Sequence, residues 1–153
     1  MDIQPSSQTE RQSVDALNTL LRGELSAVET YEQAIERLEK NFEARTVLDD
    51  CLRAHETRAQ RLRQAVASLG GTPSDGSGPW GMFAKLVEGS AKVFGAKAAI
   101  AALEEGEDHG IKEYRSQIGK LDATTRRTVV DELLPGQQET HGKLSALKHT
   151  LSA

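Results

Sequence analysis

Two nearly matching stretches of sequence decide the fold of this chain, and they are Gly23-Glu24-Leu25-Ser26-Ala27-Val28-Glu29-Thr30-Tyr31 and Gly106-Glu107-Asp108-His109-Gly110-Ile111-Lys112-Glu113-Tyr114. Both read Gly-Glu, two residues, a small residue, three residues and Tyr. A shorter pair, His55-Glu56-Thr57-Arg58 and Gln138-Glu139-Thr140-His141, shares Glu-Thr. The chain therefore looks like a helix pair used twice, which predicts a bundle of approximate two-fold symmetry with a site at its middle.

Apolar residues around these stretches recur three and four residues apart, as in helices that bury one face. We predict four long helices at residues 9–40, 43–69, 96–118 and 123–150, the first opened by a capping box of Thr9 and Gln12. The first and second helices, and the third and fourth, are joined by short links, whereas residues 70–95 form a long connection with a short extra helix at 80–94. One long crossover favours an all-α, ferritin-like four-helix bundle over an up-down-up-down bundle with an elaborated loop. Residues 1–9 are expected to be disordered, and 10–153 to form one domain.

Composition limits which classes of partner and which cellular compartment the sequence predicts. The 153 residues carry a net charge of −4, which argues against a nucleic-acid partner. There is no apolar run long enough for a membrane span and no apolar segment near the N-terminus typical of a secretory signal. Cys51 is the only cysteine, so we expect a reducing, cytoplasmic setting. Trp80, Met82 and Phe83 form an apolar patch in 80–94 that offers a surface for a homodimer.

Each long helix places a polar residue where its own stripe predicts the interior. These residues are Glu24, His55, Glu107 and His141, with Gln138 one turn before His141. A buried carboxylate without a partner costs several kcal/mol. A divalent cation would compensate two at once, and iron, manganese or zinc accepts carboxylate with imidazole. Buried glutamates paired with Arg58 and tyrosine hydroxyls, and a histidine bonded to a carboxylate, would satisfy the same groups without metal.

The Gly-Glu…Tyr stretches and the sequence Leu69-Gly70-Gly71-Thr72-Pro73 resemble the ferritin-like superfamily, in its uncharacterised, rubrerythrin-related bacterial branch of unknown function. The resemblance spans about residues 14 to 151. It implies that Glu24 and Glu107 act as metal ligands, as in the di-iron members. There, the other two helices each supply Glu-x-x-His. Here those motifs read His55-x-x-Arg58 and Gln138-x-x-His141, and Arg58 cannot be a ligand because it is always protonated.

Two functions follow from these residues. In the first, the bundle binds a transition metal, with iron first and manganese or zinc as alternatives, and handles metal or oxidative stress; oxidoreductase activity stays open and no catalytic residue is assigned. In the second, a metal-free structural or protein-interaction module has kept the fold, and Arg58 neutralises buried glutamates. Tyr31, Tyr114 and Arg58 are expected around the ligands, and the candidate metal ligands are Glu24, Glu107, His141, His55, Glu56 and Gln138.

Overall fold

The computed structural model describes residues 8–77 and 95–151, and within them the chain is helical with short connections. The long helices are α1 (Gln8–Arg37), α2 (Phe42–Ser68) and α3 (Ala96–Gln117), and a fourth is composed of α4 (Ala123–Thr128), a π-helical turn (Val129–Leu133) and α5 (Leu134–Thr150). The prediction of an all-α, ferritin-like four-helix bundle is confirmed. Residues 80–94, with the predicted extra helix and dimer surface, lie outside the described residues, as do 1–7.

The helix ends follow local chemistry. Asn41 caps α2 by accepting a hydrogen bond from the backbone N–H of Ala44 at 3.0 Å. At the other end of α2, Gly70 has φ of 77°, a conformation that glycine adopts without strain. The predicted capping box of α1 is wrong, since the helix already begins at Gln8 and Thr9 lies within it. None of the helices in the described part of the chain combines the length and apolar character needed to cross a membrane.

The fourth helix contains an extra residue just before its proline. Leu134 donates its backbone N–H to the carbonyl of Val129, five residues back, and Pro135 follows at the start of α5. Because a π-helical turn widens the helix, it accommodates a proline that cannot donate a backbone hydrogen bond. The buried stripe of this helix therefore runs through Val129 and Leu133, whereas Val130 is exposed and Leu134 is half-buried.

The core has two apolar clusters on either side of a polar layer. One cluster contains Leu17, Leu21 and Leu62, and the other contains Leu48, Ile100 and Leu144. Between them along the helices lie six buried polar residues, which we call the polar layer: Glu24, His55, Arg58, Glu107, Gln137 and Thr140. Each long helix contributes to this layer, as the sequence pattern predicts.

Candidate functional site

The polar layer brings Glu24 of α1 and Glu107 of α3 to opposite sides of one imidazole. The side chains of Glu24, Glu107 and His55 are each no more than 3% exposed, so water cannot solvate their charges. His55 Nδ1 lies 2.7 Å from Glu24 Oε2, and His55 Nε2 lies 2.6 Å from Glu107 Oε1. Since each carboxylate oxygen requires a donor at such a distance, both ring nitrogens carry a proton and His55 is an imidazolium.

Arg58 lies one turn along α2 from His55 and supplies the second positive charge. Its Nε donates to Glu24 Oε1 at 3.1 Å, and its Nη2 donates to Gln137 Oε1 at 2.9 Å. The i, i+3 spacing of His55 and Arg58 puts both cations on the same face of α2. Nη2 also lies 3.0 Å from His55 Nδ1, but a protonated Nδ1 cannot accept a hydrogen bond from it. The Glu24 carboxylate contacts both cations and so offsets the repulsion between them.

The two tyrosines cross the bundle to the glutamate of the opposite helix. Tyr31 on α1 donates its hydroxyl to Glu107 Oε1 at 2.5 Å, and Tyr114 on α3 donates to Glu24 Oε1 at 2.9 Å. Each tyrosine lies seven residues after the glutamate of its own helix, on the same face. The chain Tyr31, Glu107, His55, Glu24 and Tyr114 is therefore continuous and nearly symmetric.

Gln137 and Thr140 complete the layer from α5. Gln137 Nε2 donates to Glu107 Oε2 at 2.7 Å, and Thr140 Oγ1 donates to the same oxygen at 2.9 Å. Gly110 on α3 leaves room for this contact, because a Cβ at that position would lie 2.5 Å from Gln137 Nε2. Helical spacing fits either Gln137 or Gln138 in the stripe, and it does not single out Thr140. Val129 and Leu133 have the same spacing as Val130 and Leu134, so spacing alone does not select the register.

The ionisation of these groups follows from burial opposed by charge. Burial alone would raise the pKa of Glu24, but the Arg58 guanidinium and the His55 imidazolium outweigh it and lower the pKa to about 2. Burial would lower the pKa of His55, but Glu107 and Glu24 outweigh it and raise the pKa to about 9. For Glu107, burial is again outweighed, chiefly by His55, and the pKa is lowered. Both acids and both bases are therefore charged at neutral pH.

The layer balances its charge and saturates its acceptors. Two carboxylates face two cations, so the buried network has no net charge. Glu107 accepts four hydrogen bonds, two on each oxygen, from Tyr31, His55, Gln137 and Thr140. A carboxylate has about four acceptor sites, so Glu107 has none left.

Several predicted site residues lie outside this network. Gln138 is exposed, and so is Glu56, while His141 is half-buried. The prediction that Gln138 and His141 face the interior is wrong, because the stripe of α5 is displaced by one residue and Gln137 and Thr140 take the inner positions. The sequence match of Glu56-Thr57 with Glu139-Thr140 aligns His55 with Gln138. In the structure His55 corresponds to Gln137, so the match is displaced by one residue.

The inner positions do not fit a di-metal centre. The positions that carry Glu-x-x-His in ferritin-like di-iron proteins are occupied here by His55-x-x-Arg58 on α2 and Gln137-x-x-Thr140 on α5. All four residues donate hydrogen bonds to the glutamates: Arg58 to Glu24, Gln137 and Thr140 to Glu107, and His55 to both. Arg58 is in addition a permanent cation. Within residues 8–77 and 95–151, there is no group of three or more His, Cys, Asp or Glu side chains that could hold a metal ion.

Comparison with known proteins agrees with the fold. A solved structure described as a crystal structure of ferritin like, diiron-carboxylate proteins from Bacillus anthracis str. Ames matches with a TM-score of 0.72 and 15% sequence identity, covering 93% of this chain and 99% of that chain. No curated protein matches the chain. A family model described as a domain of unknown function, DUF2383, matches residues 12–120, more than half of the chain. The chain therefore belongs to the DUF2383 family.

Proposed function

We propose that this protein is a metal-independent structural or interaction module built on a ferritin-like bundle. One observation carries the proposal: the two buried glutamates are already neutralised by His55 and Arg58. In a di-metal bundle, four carboxylates require two divalent ions. Here two carboxylates require two monovalent cations, and the chain supplies both from α2.

In this proposal the charged residues in the core specify the register of the helices. Glu24 on α1 can meet both cations of α2 and the hydroxyl of Tyr114 on α3 in only one helix register. A slip along any helix would leave a buried charge without its partner, at a cost of several kcal/mol. In this proposal the polar layer fixes how four largely aliphatic helices pack.

A metal-binding function is the second candidate, and the neighbouring structure described as diiron-carboxylate favours it. In this candidate Glu24, Glu107 and His55 would hold iron, or manganese or zinc, and the protein would be a rubrerythrin-related cytoplasmic protein that handles metal or oxidative stress. His55 would have to lose a proton, and Arg58 would have to leave Glu24. Each step removes a compensating charge, so the ion must replace both.

Metal content and thermal stability together separate the two candidates. Protein purified without chelators from iron-, manganese- and zinc-supplemented cells should contain less than one equivalent of any of them. Its melting temperature should be the same with and without anaerobic Fe(II), because a ligand that binds only the native state must stabilise it. Stoichiometric metal that disappears in the Glu24→Ala, Glu107→Ala double variant would support the second candidate instead.

A reconstructed site provides the positive control. The variant His55→Glu, Arg58→His, Gln137→Glu, Thr140→His restores the two i, i+3 ligand pairs of di-iron bundles at the inner positions seen here. If the assignment of those positions is right, this variant should bind two equivalents of Fe(II) or Co(II) and melt higher when loaded. A parallel variant that places the second pair at Gln138 and His141, outside the inner positions, should not.

A further inference from the structure

The signature that repeats in α1 and α3 also lines a cavity. A cavity of about 340 Å³ opens between these two helices, and fifteen of the seventeen described residues that line it belong to them. They include every defining position of both stretches: Gly23, Glu24, Ala27, Tyr31, Gly106, Glu107, Gly110 and Tyr114. Ligand pockets begin at about 300 Å³. We call this cavity the α1–α3 cleft.

Small residues on facing helices open the cleft. Gly23 and Ala27 of α1 and Gly106 of α3 line the cleft with little or no side chain. A Cβ added at Gly23 would meet no heavy atom within 4 Å. Glycine in a helix interior is destabilising relative to alanine. No close contact requires a glycine at position 23, and a longer side chain there has room to extend.

The charges on the floor of the cleft are balanced within the polar layer, with Arg58 pairing with Glu24 from outside the lining. The floor is formed by polar side chains that hydrogen-bond to one another, among them Glu24, His55 and Glu107. The walls include the apolar side chains of Leu20, Ala27 and Leu103. An apolar group can therefore enter without stranding a buried donor or acceptor.

The solvent side of the cleft is acidic. Glu105, His109 and Glu113 follow one another at four-residue spacing along α3 and line the cleft, with Glu105 exposed and Glu113 half-buried. None of the described lining residues is Lys or Arg. Two carboxylates at the opening and a floor whose charges are balanced favour a ligand with a positive end at the surface and an apolar body inside.

We propose that the α1–α3 cleft binds a small organic cation, a primary ammonium carried on a compact apolar group. The apolar group lies between Ala27 and Leu103, over the hydrogen-bonded tyrosines, and the ammonium lies near Glu105 and Glu113. The proposal rests on the metal-independent network of the proposed function, because that network balances the charges on the floor.

Benzylammonium is a suitable probe, with benzyl alcohol and benzoate as neutral and anionic counterparts of similar shape. Titration followed by protein NMR should show saturable shifts at the cleft for benzylammonium, weaker affinity for the alcohol and weakest for benzoate. The Glu105→Gln variant should weaken benzylammonium binding about two- to fivefold, as expected for a partly exposed ion pair, and leave the alcohol unchanged. The control Asp108→Asn removes the same charge from α3 outside the cleft lining and should change neither.

Two matched glycine variants test the location. Gly23→Leu fills the cleft and should abolish binding, and Gly23→Ala should reduce it. Gly142→Leu makes the same change at a helical glycine of α5 that also has nothing within 4 Å of a Cβ and does not line the cleft, so binding should persist. Thermal melting of each variant checks that it folds.

Three results would overturn the proposal: no saturable benzylammonium binding to the wild type, equal binding of benzoate, or equal losses in the Gly23 and Gly142 variants. Metal content is measured on the same samples. Metal-free protein that does not bind benzylammonium overturns the cleft assignment alone, whereas stoichiometric metal overturns the proposed function.

Discussion

The apolar clusters at the two ends of the bundle and the polar layer between them are held together by different physics. In the clusters, side chains such as Leu21 and Leu62 are completely buried, and each contributes in proportion to the surface it removes from water. In the polar layer, Arg58 and His55 contribute by neutralising the negative charges of Glu24 and Glu107. The ends can therefore tolerate gradual change, whereas the middle depends on all its charges being present together.

The largest expected effect is the removal of one cation from the polar layer. Arg58→Met should lower the free energy of unfolding by about 3–5 kcal/mol, because Glu24 would be left buried with an uncompensated charge. Urea denaturation at neutral pH measures it. Arg61→Met, three residues along α2, breaks a half-exposed pair with Glu132 and should cost at most about 1 kcal/mol. Similar losses in the two variants would show that Arg58 does not neutralise a buried acid.

A truncation in an apolar cluster should lower the free energy of unfolding by a comparable amount, but the loss should not depend on pH. Leu62→Ala should cost about 2–5 kcal/mol, from lost burial and the cavity left behind. The loss should be the same at pH 5 and pH 9, because a leucine side chain is uncharged and contributes through apolar burial alone. Denaturation at both pH values checks this, and a strong pH dependence of the loss would mean that the clusters and the polar layer are coupled.

The pH dependence of stability should come from the polar layer. The pKa of His55 is raised from 6.5 to about 9, so its contribution is complete below pH 6.5 and is lost as the pH rises towards 9. The pKa of Glu24 is lowered from 4.5 to about 2, so its contribution is present above pH 4.5 and is lost on acidification. Stability should be maximal between these limits and fall on the alkaline side by on the order of 3 kcal/mol, from the rise in the pKa of His55 from 6.5 to about 9.

Melting curves from pH 3 to pH 10 measure this profile. The variant His55→Gln keeps a donor but cannot be charged, so it should lose the alkaline decline that ends near pH 9. If that decline is unchanged in the variant, another group produces it.

The smallest expected effects come from glycines and differ in sign. Gly110→Ala should destabilise the fold by about 1 kcal/mol, because the new methyl group would meet Gln137 Nε2 at 2.5 Å and weaken its bond to Glu107. Gly142→Ala, which meets nothing, should stabilise it by about 0.5–1 kcal/mol through helix propensity. Thermal melts compare the two, and stabilisation by both would show that Gln137 is not held close to α3.

The sequence predicts α1, α2 and α3 well because each helix has one dominant apolar stripe. On these helices, the stripes also place Glu24, His55 and Glu107 in the interior, where the structure has them. The sequence also predicts Arg58 as a possible partner for the glutamates, because arginine is always protonated and cannot be a metal ligand.

The register of the fourth helix could not be predicted in the same way. Val129 and Val130, like Leu133 and Leu134, are adjacent apolar residues, so two stripes fit equally well. The π-helical turn that selects one of them depends on accommodating Pro135 against the rest of the bundle. Helical spacing alone does not contain that information, so the sequence predicts Gln138 and His141 where the structure has Gln137 and Thr140.

The protonation state of His55 tests the central claim most directly. Nitrogen-15 NMR of the imidazole ring at pH 7.5 should show protons on both Nδ1 and Nε2, with no change when one equivalent of Fe(II) or Zn(II) is added. A neutral ring at that pH, or a ring resonance shifted or lost on stoichiometric addition of metal, would contradict the claim that His55 and Arg58 neutralise the buried glutamates.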